Sequence, residues 1–233
     1  MHHWFEILPC SKFLVTFVGS YAVLCSSSLL SAQNRKDLFD FAISGPVASA
    51  VSSLACMCIG LHRTLHASSH ALECFPTLPV AWFKSSFLSG ILLTLLAPKL
   101  LTLPLSQPVP IHPLFVVGFT GLLSSALNML PVARLDGGRA CFAAMGPKYG
   151  QLATMATFLC TLIAIFWKES ASTLLVSWMM YILIFQRRAE VPSRDDFTEI
   201  NNFRLQSWIC SVIFSILALV PFPGYHGLAP ISL

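Results

Sequence analysis

Charge is what this sequence has least of. Asp, Glu, Lys and Arg together make up 10% of its 233 residues, against about 25% in a soluble domain. That is too few to coat a water-facing globule of this size, and the 55% of apolar residues come in long runs rather than in a half-buried alternation. The net charge of +4 is small, and the chain lacks a basic stripe or an aromatic-basic platform, so nucleic acid is not an expected partner. There is no CxxC pair among the eight cysteines, and Cys56-x-Cys58 is not a zinc spacing, so they read as small polarizable packing residues rather than a metal or disulfide framework. No internal repeat is visible. What remains is one membrane domain with the lipid bilayer as its surroundings.

Six apolar segments are long enough to span, or nearly so: 41–61, 82–103, 114–130, 150–167, 171–186 and 207–222. The expected fold is therefore an all-α, multi-pass membrane protein of about six transmembrane helices. The stretch 13–30 is apolar but rich in β-branched and aromatic residues around Gly19-Ser20, which favours a membrane-associated β-hairpin. A helix and a secretory signal are the alternatives. If the six segments all cross, one side receives Arg63, Lys84, Arg134, Arg139, Lys148, Arg187, Arg188, Arg194 and Arg204, and the other receives Lys12, Arg35, Lys36, Lys99 and Lys168. That bias places 131–149 and 187–206 on the cytosolic side or its organellar equivalent. Pro98 and Pro104, followed by Pro108, Pro110 and Pro113, make 104–113 an extended connector, because a helix cannot run through so many missing donors.

The informative stretch is Asn128-Met-Leu-Pro131-Val-Ala-Arg-Leu-Asp136-Gly137-Gly138-Arg139, directly after an apolar run. Pro131 interrupts the helix and pushes Leu130 from helical dihedrals. Gly137 and Gly138 permit unusual backbone shapes and close approach to a ligand. An Asp in a helix break at membrane depth is a functional candidate, and a carboxylate is a suitable zinc ligand. The other reading is an ordinary Asp-Gly turn at the membrane surface.

The spacing Asn-x-x-Pro-x-x-x-x-Asp-Gly resembles the third core helix motif of the site-2 protease family of intramembrane zinc metalloproteases. Ile111-His112-Pro113-Leu114, Ala126-Leu127-Asn128-Met129-Leu130-Pro131-Val132 and Leu135-Asp136-Gly137-Gly138-Arg139-Ala140 are similar to its plastid branch, named for ethylene-dependent gravitropism-deficient and yellow-green. Gly45-Pro46 resembles the family's start of the second core helix, Gly19-Ser20-Tyr21-Ala22 the hairpin before it, and Ile184-Phe-Gln186-Arg187 a segment near the last helices. The resemblance runs over residues 8–220. It implies a zinc ion held by two His of an HExxH helix and by Asp136, with water in the fourth position and the motif's Glu as general base. It further implies that Asn128 positions substrate or an oxyanion, that Pro131, Gly137, Gly138, Gly45 and Pro46 are structural parts of the motifs, and that the substrate is a transmembrane protein helix in a plastid membrane. On that scheme residues 1–40 are a remnant and hairpin, 41–149 the protease core helices and 150–233 the carboxy-terminal transmembrane helices.

One departure stands out. The sequence has no HExxH, since none of His2, His3, His62, His66, His70, His112 and His226 is followed by Glu. Two expectations compete: an amino-terminal segment outside this sequence supplies the motif and with it Zn2+, or the chain is a pseudoprotease that binds membrane helices without cutting them. His62, His66 and His70 have the spacing of one helix face; they read as a polar interhelical loop, with an auxiliary metal or pH-responsive site as the alternative. A transporter or channel is disfavoured, because no paired broken helices recur in two halves.

Overall fold

The structure is a computed structural model that describes residues 35–132, 135–167, 169–185 and 202–222. The hairpin expected over 13–30, the end of the Ile184–Arg187 match and most of the polar stretch 187–206 lie outside those residues. In chain order the elements are α1 (Arg35–Leu65), α2 (Ser69–Glu73), β1 (Thr77–Pro79), α3 (Val80–Lys84), α4 (Phe87–Leu96), α5 (Pro98–Leu101), β2 (Pro108–Pro110), α6 (Pro113–Asn128), α7 (Asp136–Met145), α8 (Pro147–Trp167), α9 (Glu169–Phe185) and α10 (Asn202–Leu219).

Three of these helices are long and apolar enough to cross a membrane: Leu38–Leu65 with 28 residues, Pro147–Phe166 with 20 and Asn202–Leu219 with 18. At 1.5 Å per residue the last two reach about 30 and 27 Å, the thickness of a hydrocarbon core. Phe87–Leu96, Pro113–Asn128 and Leu175–Ile184 are apolar but shorter. On α8, Leu152, Met155, Leu159, Ile163 and Phe166 are all exposed. Their three- and four-residue spacing makes one stripe, and that stripe suits contact with lipid chains.

The segment expected as one span over 82–103 is instead three short helices, α3, α4 and α5. Ser86 is extended (φ −127°, ψ 135°) and its hydroxyl accepts from the Ser89 N–H at 3.5 Å, which starts α4 afresh. Ala97 leaves helical dihedrals (φ −146°, ψ 60°), as a residue before proline does, and Pro98 then opens α5. The connector 104–113 is only partly extended: Pro104–Gln107 is a turn closed by the Gln107 N–H donating to the Pro104 carbonyl at 3.0 Å, and Pro113 already opens α6. Part of it forms β2, which pairs antiparallel with β1 in the register Thr77 to Pro110, Leu78 to Val109 and Pro79 to Pro108.

Contacts divide the chain into two units, with cuts inside α1 after Ser49 and inside α10 after Val212. The unit built from Ala50–Leu127 and the end of α10 has a core of Met57, Leu61, Val80, Phe83, Leu93, Ile111, Phe115, Leu122 and Ala218. Phe83 and Phe115 meet edge to face at 5.5 Å, a favoured aromatic geometry. Within it α1 and α6 touch backbone to backbone: a Cβ on Gly118 would lie 2.6 Å from the Ser53 carbonyl oxygen, and one on Gly60 would collide with the Phe115 backbone. Small residues permit such approach where helices cannot rely on a hydrophobic drive to associate.

The other unit gathers the first part of α1 with Asn128–Val212. Phe39, Ala42, Ala140, Cys141, Ala143 and Trp208 pack together there. Arg204 makes a two-pronged pair with Asp40, Nε to Oδ1 at 2.9 Å and Nη2 to Oδ2 at 2.8 Å, tying the start of α10 to α1. Helix α8 packs on α7 and on α9.

Candidate active site

The break between α6 and α7 positions the motif. Helix α6 ends at Asn128, and Pro131 cannot supply the N–H that would continue it. The chain turns tightly instead: the Val132 N–H donates to the Leu130 carbonyl at 2.7 Å and the Leu135 N–H to the Val132 carbonyl at 3.0 Å. Leu135 is extended (φ −63°, ψ 159°) and Asp136 is the first residue of α7, whose opening hydrogen bond runs from the Arg139 N–H to the Leu135 carbonyl at 2.9 Å. Met129, Val132 and Leu135 are buried and fix the turn as an apolar plug, while Asn128 and Asp136 are half-buried.

Gly137 holds the two ends of the motif together. Its α-carbon lies against the Met129 carbonyl and 2.6 Å separates the place of a Cβ from the Leu130 carbonyl oxygen. Asn128 and Asp136, the neighbours of Met129 and Gly137, are thereby brought to one turn although eight residues separate them. The glycine is needed here for space. A left-handed backbone is not the reason, since among the described residues the positive-φ glycine is Gly146 (φ 87°), where α7 ends and Pro147 begins α8.

Two side chains remote in sequence fasten α7 at its ends. The Trp208 indole Nε1 donates to the Gly137 carbonyl at 3.3 Å from a buried position. The Arg35 guanidinium donates to the Ala143 carbonyl through Nε at 3.1 Å and Nη2 at 2.8 Å, answering carbonyls that the last turn of a helix leaves unpaired. Neither residue carries a local signal for this duty. The only hint is that a buried tryptophan must find an acceptor.

Gly45 and Pro46 fall inside α1 rather than at its start, which is Arg35. A Cβ on Gly45 would meet nothing within 4 Å, so the Gly-Pro step leaves an open notch on the helix, and Pro46 withholds the N–H that would pair with the Ala42 carbonyl. His62, His66 and His70 do not share a continuous helix, because α1 ends at Leu65 and His70 belongs to α2. The rings of His62 and His66 stack with centroids 4.3 Å apart. His112 is turned to its own surroundings, its Nδ1 accepting from the Leu114 N–H at 3.1 Å and its ring meeting Phe75 edge-on at 5.2 Å.

Chemically, the segment offers one carboxylate at the amino-terminal end of α7, where a negative group is stabilised, and one primary amide at the end of α6. Among the described residues no group of three or more His, Cys, Asp or Glu converges. A catalytic zinc takes three protein ligands, so these residues by themselves do not make a zinc site.

No family model and no solved structure matches the chain. Curated proteins do. The probable zinc metalloprotease EGY1, chloroplastic, of Arabidopsis thaliana is 32% identical over 208 residues, covering 88% of this chain and 36% of that protein. Its namesake in Oryza sativa subsp. japonica is 31% identical over 189 residues, 81% of this chain and 31% of the relative. The DDT domain-containing protein PTM of Arabidopsis thaliana is 32% identical over 171 residues, 72% of this chain but 9% of that protein. The chain spans about a third of the length of the EGY1 relatives it matches.

Proposed function

The chain belongs to the chloroplastic EGY branch of the site-2 protease family, and we propose that it forms the motif-bearing part of a membrane-embedded zinc endopeptidase that cuts transmembrane helices of other proteins. The observation that carries this reading is the Asn128–Asp136 turn, closed by Gly137 against Met129 at the end of an apolar helix. In it Asp136 is one ligand of the metal named in the relatives' descriptions, with the remaining ligands outside the described residues. The Asn128 amide is suited to hold a substrate carbonyl by hydrogen bonding, as a fixed donor does for developing negative charge. The helices Leu38–Leu65, Pro147–Phe166 and Asn202–Leu219 cross the membrane, and that membrane is a plastid's, as the relatives' names state of them.

The test is cleavage of a transmembrane substrate by the native full-length protein. Asp136→Ala is expected to lower the rate at least about 100-fold, as loss of a group acting on the reaction centre does, and to lower zinc content in parallel. Unchanged cleavage removes Asp136 from the site. The alternative is a non-catalytic binder of membrane helices. It expects no zinc that depends on Asp136 and capture of transmembrane helices without products. Intact mass of the native protein and the zinc lost on Asp136→Ala separate the two.

A further inference from the structure

The end of α1 carries two imidazoles that the proteolytic reading leaves unused. His62 and His66 are exposed and four residues apart, on one face of a helix. His66 stays in helical register one residue past the end of α1, its backbone N–H donating to the His62 carbonyl at 3.2 Å. Its ring Nδ1 lies 2.9 Å from the same carbonyl oxygen. A carbonyl can only accept, so Nδ1 carries a proton, and in the neutral ring that leaves the lone pair on Nε2. This is the tautomer of a metal-ligating histidine, one ring nitrogen bonded to a backbone oxygen and the other facing the cation. The His62 ring is stacked on it with centroids 4.3 Å apart and planes 24° from parallel. Two histidines at i and i+4 on one helix face have the spacing at which imidazoles share a zinc ion.

The turn that holds the pair is fixed from its far side. Thr64 stands two residues from each histidine, about 200° round the helix. Its hydroxyl donates to the Gly60 carbonyl at 2.8 Å and accepts from the His112 N–H at 2.9 Å. The backbone is therefore anchored while the ligands are exposed. His112 is not a third ligand in this tautomer, because its Nδ1 accepts from Leu114. No third His, Cys, Asp or Glu converges among the described residues, so the other coordination positions fall to water.

We propose that His62 and His66 form a two-histidine site for a borderline transition-metal cation, Zn2+ or Cu2+, that uses neither Asp136 nor Asn128. Neutral imidazole suits these ions, whereas Mg2+ and Ca2+ select oxygen donors. The proposal is independent of the proteolytic reading.

The experiment is calorimetric titration of the full chain in detergent micelles with Zn2+ and, separately, Cu2+, with helix content checked by circular dichroism. Relative to wild type, His62→Asn and His66→Asn are each expected to lose the same single equivalent, weakened at least about tenfold, because the second arm of a chelate binds at high effective concentration. His70→Asn and Asp136→Ala are expected to keep this His62- and His66-dependent equivalent, Asp136→Ala losing only zinc held at the motif, and Mg2+ to give no heat. Equal uptake by wild type and both variants overturns the proposal. So does a loss confined to one of them, which marks a single ligand rather than a chelate, or a loss of this equivalent on Asp136→Ala, which assigns it to the motif. Absence of uptake by wild type overturns it as well.

Discussion

Gly137 and Cys141 show how much single atoms decide here. A methyl group on Gly137 has to displace the Met129 backbone, and backbone yields less readily than a flexible side chain. Gly137→Ala is expected to cost roughly 1–3 kcal/mol, the usual range for overpacking, and to open the Asn128–Asp136 turn. Chemical denaturation in micelles reads the first effect, and faster proteolytic nicking near Pro131 reads the second. Cys141 lies four residues further along α7 than Gly137, buried among Phe39, Ala42 and Trp208. Burial pushes its thiol up from 9.0 to about 11, since a thiolate loses its hydration there. At pH 8 only about a thousandth of it is thiolate, the reactive form. Maleimide is therefore expected to modify the exposed Cys74 well before Cys141, with the Cys141 rate rising as pH is raised toward 11. Equal rates at pH 8 contradict the packing of α7.

Helices in this chain meet by two different means. In the unit holding most of α6, contact rests on glycine: Gly60 and Gly118 let α1 and α6 approach to backbone distance. Gly118→Leu forces the two apart and empties the layer of Met57, Phe115 and Leu122. A loss of at least about 3 kcal/mol is expected, as strain and cavity terms add, whereas Gly45→Ala, with open space around it, is expected to be neutral or slightly stabilising. Comparing the two variants by thermal denaturation separates packing from helix propensity. In the unit holding α7, polar ties at helix ends do the joining. Arg35 reaches the end of α7, Trp208 its start, and Arg204 holds Asp40. The last pair is partly exposed, with side chains 28% and 56% accessible, so it fixes direction more than it adds stability.

For the molecule as a whole, the bias of Lys and Arg among its loops makes the topology testable. If all six apolar segments cross, Lys148 and Ser106 face opposite sides, with Lys148 on the cytosolic or stromal one. Both are exposed. Over the wild-type background, a membrane-impermeant thiol reagent added outside sealed vesicles is expected to label only one of Lys148→Cys and Ser106→Cys. Labelling of both means that the one segment between them, 114–130, fails to cross. Its helix, Pro113–Asn128, has 16 residues, about 24 Å, short of an upright span.

The sequence by itself determined the membrane character, the apolar helices and the interruption at Pro131. Each of these depends on composition over a window or on a local covalent fact, such as a proline without an N–H. It also carried the family through the Asn128–Asp136 spacing. Tertiary structure decided the rest. Residues 82–103 look like one span because their composition is uniform, yet the Ser86 cap and the Ala97-Pro98 step divide them. The pairing of Thr77–Pro79 with Pro108–Pro110 and the tie of Trp208 to Gly137 across 71 positions leave no mark on the periodicity of either partner. Such contacts form only when distant segments have already been brought together, and a hydropathy pattern records where a residue is buried, not what it is buried against.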